Sequence, residues 1–228
     1  MNYFAKLTRS SNRGCKKLGS VKATEQILNN INANKDATEI YREWKRLHRE
    51  HINVVNHFIT EEEIFIKDLK CIFEKYGINA DATKEIYPML SSLYNRKLFP
   101  DVMDMLTDLK DYNIVIGSTT DTKPLLNNIE QTKLPITNAF TSESLKAYKP
   151  NRQFYLGILN AMKWNADETV FVGDSLIDDV AGPKSVGIKT IWLNRKQIVP
   201  NKFAVEPDGI INNLYELSDC IRMINSIN

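Results

Sequence analysis

The first 22 residues of this 228-residue chain contain no aspartate and no glutamate, and the first acidic residue is Glu25. Basic residues are frequent in the same stretch, at Lys6, Arg9, Arg13, Lys16, Lys17 and Lys22. Three interpretations fit such a segment: an organelle transit peptide, a basic arm that binds an anionic partner, or a poorly ordered terminus. All three set residues 1–20 apart from the rest of the chain.

Other scarcities exclude whole classes of protein. The three cysteines, Cys15, Cys71 and Cys220, are odd in number and widely spaced, which excludes a disulfide framework and a cysteine metal knuckle. The formal net charge of +2 is too small to indicate a nucleic-acid partner. No apolar run is long enough to cross a membrane, and none near the start resembles a secretory signal. With 43% hydrophobic and 25% charged residues, we expect a globular protein of the reducing cytoplasm.

The first patterned region is helical. Apolar residues recur at helical spacing through residues 21–95, which predicts a bundle of about four helices. Thr60 and the three glutamates after it form a capping-box pattern for the third helix, and Gly77 stands where that helix should end. The fourth helix is expected over 82–94, with a kink at Pro88.

Three histidines, His48, His51 and His57, lie in this helical region. No acidic residue or cysteine stands at ligand spacing from them along the chain. We therefore interpret them as ordinary surface or core histidines rather than as metal ligands.

After residue 95 strand and helix patterns alternate, which predicts an α/β domain with a parallel sheet over residues 96–228. The four apolar or β-favouring residues 169–172 favour a strand that is buried on both faces. Further strands are expected at 113–117, 139–142, 190–193 and 209–211, and helices at 102–109, 124–129, 154–162 and 180–186.

Polar residues follow two of these strands directly. Ser118 and Thr119 come after the strand over 113–117, and Gly173 and Asp174 come after the buried strand. Because the carboxyl ends of parallel strands meet at one edge of the sheet, we expect a ligand site there. Ser118 is either a donor to a phosphate oxygen or the N-cap of the next helix.

Two more acids, Asp178 and Asp179, follow Asp174 within about one helical turn. Carboxylates so close repel one another unless a cation such as Mg²⁺ offsets the repulsion, although aspartates also simply stabilise a helix N-terminus. Lys149 stands just before Pro150, which favours an extended loop. This lysine is either a fixed cation for the same site or a solvated loop residue.

The order of these motifs resembles the haloacid dehalogenase-like (HAD) hydrolase superfamily: Ser118, then Lys149-Pro150, then Gly173-Asp174-Ser175 with an aspartate four or five residues on. The resemblance covers about residues 21–217. It implies a Rossmann-like parallel sheet core with an inserted helical-bundle cap over 21–95. Further stretches similar to phosphatase-type members are 98–102, 141–143, 187–190 and 192–195.

The resemblance also implies a role for each motif residue. Ser118 and Thr119 would bind the phosphoryl group, and Lys149 would neutralise charge on the nucleophile and the phosphate, as a catalytic group alongside Ser118. The implied substrate is a small phosphorylated metabolite, with neither nucleic acid nor membrane as a partner, and the expected state is a monomer or weak homodimer.

The implied cofactor is Mg²⁺. Asp174 would bind it together with Asp179 or Asp178. Asp179 is preferred, because residues 179–182 match the point at which the helix resumes in the family.

The sequence departs from the family at its first strand. Family members carry two aspartates separated by one residue at the end of that strand; the first forms an aspartyl-phosphate and the second acts as acid and base. Residues 1–20 contain no carboxylate. Three explanations compete: a frameshift or wrong start, a natural protein that kept the fold but lost catalysis, or an unrelated nucleophile.

Two functional hypotheses follow. The first is a Mg²⁺-dependent phosphatase lineage whose turnover in this chain is small without the nucleophile, and the second is a non-catalytic binding or regulatory protein. A dehalogenase is less favoured because Gly173-Asp174 points to phosphate chemistry. The only candidate for the central first strand is Tyr3–Leu7, and since Lys6 interrupts its apolar character we expect residues 1–20 to pack poorly.

Overall fold

The computed structural model describes residues 2–5, 8–10, 16–54, 57–94, 96–199, 202 and 204–226. In chain order the described elements are β1 Asn2–Ala5, β2 Thr8–Ser10, α1 Lys16–Asn30, α2 Ala37–Val54, α3 Glu61–Lys75, α4 Ala82–Glu85, α5 Tyr87–Ser91, β3 Arg96–Leu98, α6 Val102–Asp108, β4 Asn113–Ser118, α7 Thr122–Gln131, β5 Ala139–Thr141, α8 Ser142–Leu145, α9 Arg152–Met162, β6 Thr169–Gly173, a π-helical turn Leu176–Ala181, α10 Gly182–Lys184, β7 Lys189–Leu193, β8 Gly209–Ile211, a 3₁₀ turn Leu214–Glu216 and α11 Leu217–Ser226. None of the described helices is long and apolar enough to cross a membrane.

These elements fall into two compact units. The sheet unit contains β1, Leu98–Thr119 and the described residues from Pro135 onward. The helical unit contains the described residues of Thr8–Lys97 together with Thr120–Leu134. The division differs from the sequence-based one, since β1 belongs with the sheet, whereas the described residues of 8–20, 96–97 and 120–134 belong with the helices.

The sheet unit is built on six strands in the order β5-β4-β1-β6-β7-β8, and the pairings along it are parallel. All five residues of β6 are buried, as the continuous apolar run predicted. β1 lies at the centre, where Asn2 is opposite Asn113 on one side and Thr169 on the other. The predicted α/β fold class is therefore confirmed, with β1 in the slot of the first core strand.

Helix α9 covers this sheet with large side chains. Phe154, Tyr155 and Ile158 are fully buried and pack in one cluster with Val115 of β4 and Phe171 of β6. Each such side chain contributes about 1.5–3 kcal/mol by leaving water. This packing holds α9 and the strands that end at the candidate site.

The helical unit has a separate core. Trp44 of α2 and Ile72 of α3 are almost completely buried there, packed with Ile27 and Leu28 of α1. The capping box at the start of α3 is confirmed, since Thr60 and Glu63 exchange side-chain and backbone hydrogen bonds. Gly77 follows the helix with a backbone φ of +64°, a conformation that residues other than glycine rarely adopt.

Several boundaries differ from those expected. α1 begins at Lys16, inside the segment that was set apart. The helix expected over 82–94 is two short helices, α4 and α5, because Pro88 lacks an N–H and sits in the first turn of a new helix. The helix expected over 180–186 starts earlier, as the π-helical turn, and continues as α10.

The first-strand prediction is answered only in part. Asn2–Ala5 form the central strand, whereas Lys6 and Leu7 lie outside the described residues. The prediction that residues 1–20 pack poorly stays a prediction.

Candidate functional site

The candidate site lies at the carboxyl edge of the sheet, where β4 and β6 end. Asn113 and Thr169 both stand opposite Asn2, and Ser118 and Asp174 each lie five residues beyond those partners. Since neighbouring strands are about 4.8 Å apart, the backbones of these two residues are about 10 Å apart across the width of β1. Ser118 and Asp174 thus lie at the same level of the sheet, at the ends of two strands, β4 and β6, that flank β1.

The turn after β6 brings the side chain of Asp179 close to the end of the strand. The Ser175 amide donates to Asp179 Oδ2 at 3.0 Å, and the Asp179 amide donates to the Ser175 carbonyl at 2.8 Å. The Ser175 hydroxyl accepts from the Asp178 amide at 3.1 Å. This compact arrangement is a π-helical turn, a conformation that occurs often at functional sites.

Gly173 makes room for that fold. A Cβ at this position would stand 2.4 Å from Asp179 Cγ, well inside van der Waals contact. The glycine is therefore required by the close approach of the Asp179 carboxylate to the strand end.

Lys149 is the partner of this carboxylate. Its Nζ donates to Asp179 Oδ1 at 2.9 Å, and the two side chains are only 4% and 2% exposed. The ammonium also lies 4.6 Å from the ring centroid of Phe171 and 5.3 Å from that of Phe154. Lys149 is thus a fixed, buried cation and not a solvated loop lysine.

The neighbouring acids are placed differently. Asp174 is exposed, and its carbonyl accepts a hydrogen bond from Trp192 Nε1 at 3.3 Å. Asp178 is half-buried, and its carbonyl accepts from the Tyr155 hydroxyl at 2.6 Å. Burial, and then the charges of Asp179 and Asp178, raise the pKa of Tyr155, so this hydroxyl remains a donor.

Among the described residues no group of three or more histidine, cysteine, aspartate or glutamate side chains is arranged to hold a metal ion. Asp179 already uses one oxygen for Lys149 and the other for the Ser175 amide. The exposed Asp174 carboxylate is a donor of the kind Mg²⁺ takes, since that ion is commonly held by one or two carboxylates, water and phosphate oxygens.

Sequence reasoning missed one cluster in the helical unit. The buried Asp68 of α3 accepts from Trp44 Nε1 at 3.1 Å and contacts Nδ1 of His48 at 2.8 Å and Nδ1 of His51 at 2.5 Å. Two of the histidines therefore do have an acidic partner, supplied by another helix. The signal in the sequence is a charged residue, Asp68, on the apolar stripe of the third helix.

A second cluster was also missed. The buried Glu61 accepts a hydrogen bond from the Thr120 hydroxyl at 2.7 Å, and the Asp121 carboxylate accepts from the Glu61 and Glu62 amides at 2.9 and 3.1 Å. No local sequence pattern predicts this contact, because Glu61 and Thr120 are 59 residues apart in the chain.

Two of the stretches similar to phosphatases are joined by an ion pair. Both terminal nitrogens of the Arg195 guanidinium, Nη1 and Nη2, donate to Asp101, at 2.7 and 2.9 Å, and the Leu214 amide donates to the same carboxylate at 2.8 Å. Although burial opposes the charged form, these donors hold the pKa of Asp101 below its ordinary 3.8. These stretches therefore fasten the sheet unit internally.

A family model for haloacid dehalogenase-like hydrolases matches residues 2–193, most of the chain. The chain belongs to this HAD family. Similar HAD proteins include pyrimidine 5'-nucleotidase PynA of Streptococcus pneumoniae, 30% identical over 53% of this chain and 52% of that protein. They also include the HAD-hydrolase YfnB of Bacillus subtilis, 24% identical over 74% of each, and glyceraldehyde 3-phosphate phosphatase of Methanopyrus kandleri, 24% identical over 72% of this chain and 81% of that enzyme. The chain thus spans about half of the first relative, about three quarters of the second and about four fifths of the third.

Solved structures give the same HAD fold. The L-2-haloacid dehalogenase of Xanthobacter autotrophicus has a TM-score of 0.73 at 14% identity, covering 96% of both chains. YfnB bound to magnesium has a TM-score of 0.72 at 17% identity, covering 98% of this chain and 96% of YfnB. At these identities the likeness concerns the fold alone.

Proposed function

We propose that this HAD chain binds the phosphoryl group of a small phosphorylated metabolite, together with Mg²⁺, at the site formed by Ser118, Lys149 and Asp174. The observation that carries the proposal is the buried ion pair between Lys149 and Asp179 at the end of β6. A cation fixed in this way needs no reorganisation when an anion arrives, which is the main electrostatic requirement of phosphoryl binding and transfer.

Each residue takes a distinct role in the proposal. Ser118 and Thr119 donate hydrogen bonds to phosphoryl oxygens, and Lys149 neutralises their charge. Asp174, together with Asp178 four residues later, would hold Mg²⁺, and the bound metal would polarise the phosphoryl oxygens.

Asp179 takes a different role from the one expected from the sequence. Both of its oxygens are engaged, by Lys149 and by the Ser175 amide. We therefore assign it to positioning Lys149 and not to the metal.

We further propose that hydrolysis is slow. The aspartyl-phosphate route requires a carboxylate pair at the end of the first strand, and the sequence offers no acid before Glu25. Loss of a covalent nucleophile commonly lowers a rate by several orders of magnitude and leaves binding intact. The alternative function, a non-catalytic binding or regulatory protein, is favoured by the same observation.

The class of ligand has support from the relatives. Two of them are named for pyrimidine 5'-nucleotides and glyceraldehyde 3-phosphate, which share a phosphomonoester on a small molecule. The YfnB structure contains magnesium. The dehalogenases among the structural neighbours share only the fold.

Calorimetric titration of the full chain with inorganic phosphate and MgCl₂ tests the proposal. We expect phosphate binding that needs Mg²⁺, is weakened by Asp174→Asn and is lost in Lys149→Met. Release of p-nitrophenol from its phosphate ester should be close to the uncatalysed rate. Phosphate binding that is unchanged in Lys149→Met would refute the site, and a rapid rate abolished by Asp174→Asn would reveal a substitute nucleophile.

A further inference from the structure

The N-terminus of α3 is fastened from a distant part of the chain. Thr60 and Glu63 cap one another within the helix start, but the first two amides of α3 are satisfied otherwise. The Glu61 and Glu62 amides donate to the two oxygens of Asp121, at 2.9 and 3.1 Å. Asp121 therefore acts as a cap supplied from outside the helix.

The contact is reciprocal. The Glu61 carboxylate accepts from the Thr120 hydroxyl at 2.7 Å, so backbone and side chain of one residue hold two consecutive residues of the other segment. We call Glu61, Thr120 and Asp121 the Glu61 clasp. All three belong to the helical unit.

Burying the Glu61 carboxyl in the clasp costs free energy that an apolar side chain at this position would not cost. Burial raises the pKa of Glu61, and the Thr120 hydrogen bond only partly offsets that effect. A neutral side chain would fill the same space without this cost. Buried carboxyls of this kind are more frequent near functional sites than elsewhere.

The clasp stands next to the phosphate-binding residues along the chain. Ser118 is held in the sheet by the pairing of β4 with β5, opposite Thr141. Thr120 begins two residues later, so its Cα is at most about 7 Å from that of Ser118. The segment between the sheet and the clasp consists of Thr119 alone.

We propose that the Glu61 clasp is a positioning device for the phosphate-binding segment Ser118–Thr119. The clasp holds Thr120, the residue that follows this segment directly, and so limits the backbone conformations open to its hydroxyls and amides. The inference rests on the proposed function, which places the phosphate at Ser118. Glu61, Thr120 and Asp121 need not touch the ligand themselves.

Substitution of Thr120 tests the clasp, because Thr120→Val removes the hydroxyl at nearly constant shape and Thr120→Ser keeps it. Thr60→Ala is a matched control, since it removes a hydroxyl cap from the same helix end without touching the clasp. We expect Thr120→Val to weaken the binding of inorganic phosphate with Mg²⁺ about tenfold, the equivalent of one lost hydrogen bond. Thr120→Ser should bind nearly as wild type, and so should Thr60→Ala, although Thr60→Ala and Thr120→Val both lower the melting temperature.

Amide hydrogen exchange provides a second readout that needs no ligand. In Thr120→Val the amides of residues 118–121 should exchange about tenfold faster than in wild type, whereas Thr60→Ala should leave them unchanged. If exchange and phosphate affinity respond alike in the two variants, the clasp is only a helix cap and the inference fails.

The two levels of the proposal fail differently. Wild type that binds phosphate no better than Lys149→Met refutes the proposed site, while the exchange data still decide whether the clasp orders the segment. Wild type that binds phosphate with no loss in Thr120→Val refutes the clasp alone.

Discussion

At the scale of single residues, the decisive feature is a charge pair removed from water. Lys149 and Asp179 are almost completely buried, and each leaves the other uncompensated if it is removed. Lys184 and Asp208 form a bridge of similar length, 2.8 Å, with both side chains 29% exposed. The two pairs differ mainly in burial, so they separate the effect of burial from that of geometry.

We expect Lys149→Met and Asp179→Asn each to lower the free energy of unfolding by about 3–5 kcal/mol. The double variant should cost less than the sum, because no buried charge is then left alone. Lys184→Met should cost under about 1 kcal/mol, since solvent screens an exposed pair. Urea unfolding of the four variants measures these values, and additive losses at positions 149 and 179 would show that the pair is not coupled.

The sequence was sufficient to predict that Ser118 and Asp174 lie at strand ends and Lys149 in a loop, because buried strands and prolines mark where loops begin. Their binding roles stay a prediction. It was insufficient for Glu61 and Asp68, whose partners lie on other elements. Hydrophobic periodicity predicts which face of a helix is buried. It does not predict which residues of other elements pack against that face, because these depend on the tertiary structure.

At the scale of elements, the turn after β6 requires a glycine at position 173, because a Cβ there would collide with Asp179. We expect Gly173→Ala to lower the free energy of unfolding by about 1–3 kcal/mol, since the added Cβ would displace Asp179 and with it Lys149. Phosphate binding should be lost together with stability. Gly157→Ala is the control, because its Cβ would meet only the end of the Leu145 side chain, at 2.9 Å. Equal losses in the two variants would argue against a special role for the turn.

Glu61, at the start of α3, makes the free energy of unfolding depend on pH. Burial raises the pKa of Glu61 above its ordinary 4.5, so in the folded state the carboxyl keeps its proton to higher pH than in the unfolded chain. Above about pH 4.5 the folded state then binds more protons, and the free energy of unfolding falls as pH rises. We expect wild type to lose stability relative to Glu61→Gln as pH rises from this value. Parallel pH curves for the two proteins in urea unfolding would contradict this.

Element boundaries were predicted less well than element types. The strands β4 to β8 and the third helix follow directly from apolar runs and caps. The break between α4 and α5 and the π-helical turn arise where a proline or a close contact overrides the periodic pattern.

At the scale of the whole molecule, β1 provides a place for the missing chemistry. Lys6 and Thr8 are the first pair of positions separated by one residue after β1 ends. We expect Lys6→Asp combined with Thr8→Asp to raise the Mg²⁺-dependent hydrolysis of a small phosphomonoester by at least about 10³-fold. The matched control is Lys6→Asn combined with Thr8→Asn, and release of inorganic phosphate is the measurement. No gain in rate, in a protein that still binds phosphate, would mean that more than the carboxylate pair is absent.

The position of β1 also dictates an order of events during synthesis. β1 leaves the ribosome before its neighbours β4 and β6, which begin at Asn113 and Thr169. At roughly 10 residues per second, β6 follows roughly 17 s later, and the sheet cannot close around β1 before then. Helices α1 to α3 are near neighbours in sequence and need no such wait. β1 therefore stays unpaired until β4 and β6 have been synthesised, and during this time chaperones have easy access to it.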